Sequence, residues 1–214
     1  MSPAHRCRLS RLLLAAGGCW LVVAVLGVTT RSGDRPLAVD RAGRRVAAWR
    51  VWGVPVVPLR VASDYQQLGD ARPFAIMVAA TTIVAVVAGE RAFAAVAAGG
   101  PAAAVVLNEK VVKPLVRRHI PPAPGLAFPS GHVAAIASVA LMLTLLAHRR
   151  WPARGTTGVA LGVLALATLG AMASVVRTES HQLTDALGGV ALAFGTVLTL
   201  GAGATALEEA RRDL

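Results

Sequence analysis

Aromatic side chains are scarce in this 214-residue chain, at 4%, and charged residues make up only 15%. An average soluble domain carries about 25% charged residues. The shortfall excludes a disordered chain and argues against a water-soluble globule, as do a hydrophobic content of 55% and a mean hydropathy of +0.60. Cysteine is nearly absent. Cys7 lies in a basic N-terminal tail and Cys19 in an apolar run, so no disulfide framework is supported. Acidic residues number 11 against 22 basic ones, for a formal net charge of +11. On a soluble protein that balance points to nucleic acid. Here the charges lie between long apolar runs, so the expected partners are anionic lipid or phosphate and the bilayer, not nucleic acid. Lysine is rarest of all the cations. Of the 22 basic residues 20 are Arg, and the only lysines are Lys110 and Lys113.

What is plentiful is uncharged apolar sequence. A helix crossing a bilayer core needs about 20 mostly apolar residues, within a range of roughly 17–25. Six runs qualify, at 12–30, 73–89, 92–108, 131–147, 155–176 and 186–207, and none contains Asp, Glu, Lys or Arg. The expected fold is therefore all-α, a polytopic membrane bundle of six helices. Gly99-Gly100-Pro101 predicts a kink in the third. Arg6, Arg8 and Arg11 before the first run, with Ala16-Gly17-Gly18-Cys19, faintly resemble a signal peptide. Apolar sequence continues past Cys19, however, and a retained spanning helix is the preferred reading.

Six crossings put both termini on one side. The basic residues before the first run and Arg149, Arg150 and Arg154 between the fourth and fifth favour cytoplasmic termini. The raw count runs the other way, with 9 Lys and Arg on that side and 13 on the opposite one. The opposite count is inflated by residues 31–72, the only long connection, which also carry four Asp. Within it, residues 49–60 mix Trp, Arg and aliphatics, which suits a membrane interface and equally a loop packed on the bundle. The expected organisation is a first helix and extracytoplasmic loop over 1–72, a core over 73–207, and a short cytoplasmic tail over 208–214.

The informative polar residues cluster at helix ends. Lys110, Lys113, Arg117 and Arg118 follow the third run, Pro129-Ser130-Gly131-His132 opens the fourth, and Arg177, His181 and Asp185 lie between the fifth and sixth. In a six-helix topology these three segments share one membrane face. Ser is a favoured N-cap, and a helix start with a glycine offers backbone N–H groups to a phosphate. His132 is placed to protonate a leaving oxygen. His181 and Asp185 are spaced i, i+4, so a carboxylate can fix the imidazole tautomer and free the other nitrogen for attack. Lys110 and Lys113 are i, i+3 neighbours on a continued third helix, where cations stabilise a transferring phosphoryl group or anchor to headgroups. Each feature alone has an ordinary structural explanation; their convergence is the signal.

Together these residues resemble the type 2 phosphatidic acid phosphatase (PAP2) family, integral-membrane relatives of the vanadium haloperoxidases. The family shows Lys-x6-Arg-Pro, then Pro-Ser-Gly-His, then Ser-Arg-x5-His-x3-Asp. Pro129-Ser130-Gly131-His132 is complete, a tetrapeptide expected by chance in roughly one chain in a thousand of this size, and His181-x3-Asp185 follows in order. The likeness spans roughly residues 73–207 and is that of an integral-membrane bacterial member whose own first and third motifs diverge from the family pattern. It implies His181 as the nucleophile that forms a phosphohistidine, Asp185 as its orienting partner, and His132 as proton donor. It implies Ser130 and Gly131 as phosphate holders, and neither metal nor cofactor. The first motif fits two registers. Lys110-x6-Arg117 is followed by Arg118 instead of Pro. Lys113-x6-Ile120-Pro121 keeps the Pro, loses the Arg, and looks more like actinobacterial-type members through Lys113-Pro114-Leu115-Val116 and Arg118. In the third motif Val175 stands where the family has Arg after Ser174. Arg118, Arg117 or Arg177 could replace the displaced phosphate clamps.

The resemblance implies a phosphatase acting on a phosphomonoester or pyrophosphate of a membrane lipid, isoprenyl pyrophosphate or phosphatidate in class, at the extracytoplasmic face of the cell membrane. A lipid phosphotransferase would use the same residues, and a catalytically degenerate scaffold is the alternative that the displaced arginines suggest. A transporter fits poorly, because the spans carry no charge. Oligomeric state and substrate are not legible.

Overall fold

The computed structural model describes residues 3–31, 35–51, 53–120 and 125–212. Its elements in order are α1 (Pro3–Thr30), α2 (Ala38–Ala47), a two-residue hairpin of β1 (Arg50–Val51) and β2 (Val54–Pro55), α3 (Leu59–Gln67) and α4 (Ala71–Val87). Then follow α5 (Arg91–Leu107), a π-helical turn (Asn108–Val112), α6 (Lys113–Val116), α7 (Gly131–Arg150), α8 (Arg154–Arg177) and α9 (Leu183–Arg212). Each expected crossing coincides with one helix. Among the described residues five helices are long and apolar enough to cross a membrane on their own. The sixth, α4, reaches that length only with α3, from which it is bent by 59°. Gly99-Gly100-Pro101 lies within an uninterrupted α5, and the departure from α-helical geometry comes later, in the π turn. Expected features at Trp52, Pro121 and residues 213–214 lie outside the described residues.

The core forms around α7, which packs on α8 and α9 and on α5, while α1 lies along α9. Along most of α7 the side chains are buried, Val133, Ala137 and Met142 among them. Small residues let these helices approach. A Cβ on Gly189 of α9 would lie 2.6 Å from the Ser130 carbonyl at the start of α7. The Ser130 N–H in turn donates to the Asp185 carbonyl at 2.9 Å. That contact ties the start of α7 to the start of α9.

Residues 31–72 fold back on the bundle instead of trailing from it. α2 packs on α8 and α9, and α3 on α8. Gly43 of α2 faces Leu183, whose side chain would touch any added Cβ at 2.8 Å. The Tyr65 hydroxyl donates to the Ala167 carbonyl at 3.0 Å. At the opposite end of the bundle Arg149 of α7 donates through Nε and Nη2 to Glu90 at 3.1 and 2.8 Å, and lies over the Phe93 ring. The two ends therefore carry separate polar networks.

Candidate active site

Three chain segments meet at one end of the bundle. The π turn and α6 carry Lys113 off the end of α5. The π turn also aims Asn108 inward, where it is fully buried. Its amide accepts from the Gly131 N–H and donates to the Pro129 carbonyl, both at 3.2 Å, when each end meets its complement. This matches the frequent placement of π turns at functional sites. Ser130 caps α7: its Oγ accepts from the Val133 N–H at 3.5 Å. Its burial is complete, so the hydroxyl serves the helix start and does not face the open space.

That open space is a cleft of about 540 Å³, walled by Gly69, Asp70, Glu109, Lys113, Gly131, His132 and His181, with apolar neighbours such as Phe74, Val105 and Ile120. The rings of His132 and His181 lie 6.4 Å apart, centroid to centroid, and tilted by 62°. Lys113 Nζ lies beside Gly131, 3.9 Å from where a Cβ would be, and is paired with Glu109 Oε1 at 2.6 Å. His132 Nε2 sits 3.1 Å from Asp70 Oδ1. A Cβ on Gly69 would lie 2.7 Å from the His132 Cα, so the α3–α4 elbow presses its backbone onto the start of α7. Only a residue without a Cβ permits that approach.

Asp185 lies behind the cleft wall, fully buried. Its Oδ2 accepts from the Gln182 N–H at 2.8 Å and is 3.9 Å from His181 Nδ1, beyond hydrogen-bond reach. Its Oδ1 receives Arg118 Nη1 at 2.7 Å. Arg118 is itself buried and also donates through Nη2 to Asp40 Oδ2 at 3.0 Å. Asp40 Oδ1 in turn accepts from the Thr184 N–H and hydroxyl at 2.8 and 2.9 Å. Burial alone would raise the Asp40 carboxyl. The bonds from Thr184, Leu37 and Arg118 outweigh it and hold the group below the ordinary carboxylate range. Arg118 is thus committed to two carboxylates. Arg177 donates through Nε to the Val57 carbonyl at 3.1 Å. Arg117 is exposed, in a left-handed conformation with φ 55°, and donates to the Pro114 carbonyl; Lys110 is exposed on the π turn. None of these four lines the cleft.

His181 is electrostatically set apart. Burial foremost, then the charges of Lys113 and of His132, lower its pKa from the ordinary 6.5 to about 3; a backbone contact with Ala127 pulls weakly the other way. The ring is therefore neutral at physiological pH, with a lone pair available to an electrophile. Among the described residues no group of three His, Cys, Asp or Glu is arranged to hold a metal ion.

The profile of the PAP2 superfamily matches residues 67–204. The chain belongs to the PAP2 superfamily. No curated protein and no solved structure matches it. PAP2 proteins are generally phosphatases. The matched stretch begins at the α3–α4 elbow and includes every residue named above as lining the cleft, while Asp40 lies outside it. Sequence reasoning missed Asp40, Asp70, Asn108 and Glu109. The last two carry one weak signal, since they sit within a few residues of the lysines. Asp40 carries none, because its partners are 78 and 144 positions away.

Proposed function

We propose that this PAP2 protein is an integral-membrane lipid phosphatase, which cleaves a phosphomonoester or pyrophosphate of a membrane lipid through a phosphohistidine on His181. The observation that carries the reading is the pair of imidazoles facing each other across a cleft at the end of a membrane bundle, with Lys113 and the start of α7 beside them. A second apolar groove of about 470 Å³, between α4 and α5, shares Phe74 with the cleft and suits a hydrocarbon tail.

The reaction runs in two displacements. The neutral His181 ring attacks phosphorus, a P–N bond forms, and the P–O bond to the lipid breaks. His132 gives its proton to the departing oxygen. Water then attacks the phosphohistidine, His132 takes the water proton, and the P–N bond breaks to release phosphate. Lys113 and the His132 N–H at the start of α7 stabilise the phosphoryl oxygens, with Gly131 keeping the approach open, while the Gly131 and Val133 N–H groups stay with Asn108 and Ser130. Asp185 holds the His181 ring once their 3.9 Å gap closes, and Arg118 holds Asp185. The cleft faces the extracytoplasmic side, and both termini are cytoplasmic.

The test is release of inorganic phosphate from lipid phosphates by purified protein in detergent, with and without a chelator. His181→Ala is expected to lower the rate by at least about a thousandfold, and the chelator to leave it unaltered. Retained activity in His181→Ala rules out this nucleophile. Counting free phosphate also separates hydrolysis from transfer to another alcohol.

A further inference from the structure

The charges that line the cleft are few and nearly cancel. Among the described residues Lys113 is the only Lys or Arg in its wall, against two carboxylates, Glu109 and Asp70. Glu109 Oε1 is 2.6 Å from Lys113 Nζ and 3.0 Å from the Cβ position of Gly131. A carboxylate thus stands at the mouth of the helix start, beside the one lysine. Arg118 adds little net field, because Asp40 and Asp185 both neutralise it in the interior. A lipid pyrophosphate carries more negative charge than a lipid monophosphate, and in this cleft Lys113 and the proton-donating His132 are already paired with Glu109 and Asp70, so each further charge meets no unpaired cation.

The leaving groups point the same way. A pyrophosphate expels a phosphate ester, a stable anion that needs little help. A monophosphate expels an alkoxide, which needs a full proton as the P–O bond breaks. His132 is held by Asp70 at 3.1 Å, an arrangement that fixes the ring of a proton donor.

We propose that the cleft selects lipid monophosphates over lipid pyrophosphates, and that Glu109 enforces the selection. The inference rests on the phosphatase reading above. Attack by His181, P–O cleavage and proton delivery from His132 to the lipid oxygen are unchanged. Glu109 touches neither the nucleophile nor the leaving oxygen; it sets how much negative charge the Lys113 subsite admits.

The experiment compares kcat/KM for phosphatidate and for a farnesyl monophosphate with that for farnesyl pyrophosphate, in one detergent at low ionic strength. The expected result is a preference of about tenfold or more for both monophosphates, the order expected for one added like charge at a partly exposed site. In Glu109→Gln the pyrophosphate is expected to gain more than the monophosphates, narrowing the ratio to about threefold. Equal or faster turnover of the pyrophosphate by the wild-type protein overturns the selection and leaves the phosphatase reading standing. A ratio unaltered in Glu109→Gln overturns the role of Glu109. Release of phosphate from none of the three overturns the reading and the inference together. The wild-type ratio decides the selection even if the variant folds poorly.

Discussion

His181 sits where a neutral imidazole is the stable form, because burial strips its solvent and Lys113 and His132 oppose a second positive charge. Its pKa of about 3 has two measurable consequences. Its ring resonances in a histidine-labelled NMR sample should show no titration between about pH 5 and 8; a midpoint near the ordinary ~6.5 would show that the site is wetter than described. The unfolded chain takes up this proton at a higher pH than the folded one, so stability should decline as pH falls from about 6.5 toward 3. The cations divide just as clearly. Lys113→Ala is expected to lower kcat/KM by about a hundredfold. Arg177→Ala should keep it within about twofold, since Arg177 spends its guanidinium on the Val57 carbonyl. A large loss in Arg177→Ala would mean that the arginine swings into the cleft when substrate binds. At this scale residue type and spacing in the sequence singled out His181 and Asp185, four apart across the start of α9, and His132 at the start of α7, and these segments meet at one end of the bundle. The sequence left Ser130 open between helix cap and phosphate holder, and the structure turns its hydroxyl into the cap; nor did it tell which arginine does what, because Arg117, Arg118 and Arg177 carry equal charge and differ only in where the backbone points them.

Helix α2 shows how an element without an apolar run becomes part of the site. Its buried Asp40 reaches Arg118 and Thr184, so the charge behind His181 is a chain of Asp40 from α2, Arg118 from the loop after α6 and Asp185 from α9. Removing one partner strands the others away from water. Asp40→Ala should therefore destabilise the protein by about 3–5 kcal/mol, read as a lowered midpoint in a detergent thermal melt. Asp40 is held below the ordinary carboxylate range, so its contribution is present above about pH 3.9 and is lost as acid protonates it. A melt unaltered in Asp40→Ala would mean that α2 does not dock in the membrane. The five long helices and the apolar run of α4 were readable from length and hydropathy alone, since a bilayer demands both. The packing of 31–72 was not, because α2 and α3 are 10 and 9 residues long and their docking depends on Gly43 meeting Leu183 and Tyr65 meeting Ala167.

Across the whole molecule α1 runs antiparallel to α9. Leu12 lies near Gly201 and Thr205, the Trp20 ring meets Gly195 and bonds Thr199, and Gly27 approaches Val116 and Phe128 beside the site. The Thr30 end of α1 is therefore the cleft end, and Cys7 belongs to the far end. From Cys7 to Thr30 a straight helix rises about 35 Å, enough to cross a hydrocarbon core of about 30 Å. Cleft and Cys7 must then open to opposite compartments, whichever way the protein is inserted. The native cysteines make this testable without substitution, since Cys7 is exposed and Cys19 lies within the apolar span. In sealed right-side-out vesicles an impermeant phosphate ester should be hydrolysed while an impermeant maleimide leaves Cys7 unlabelled; in inverted vesicles both results should reverse. Labelling and hydrolysis from the same side would contradict the antiparallel packing of α1 on α9. Hydrolysis only in inverted vesicles would keep the packing and reverse the proposed orientation. The charge count of the loops could not settle that orientation, and the structure gives a physical reason. On the cleft side Lys113 and Arg118 are bound to Glu109, Asp40 and Asp185, so they serve the site and are not free loop charges.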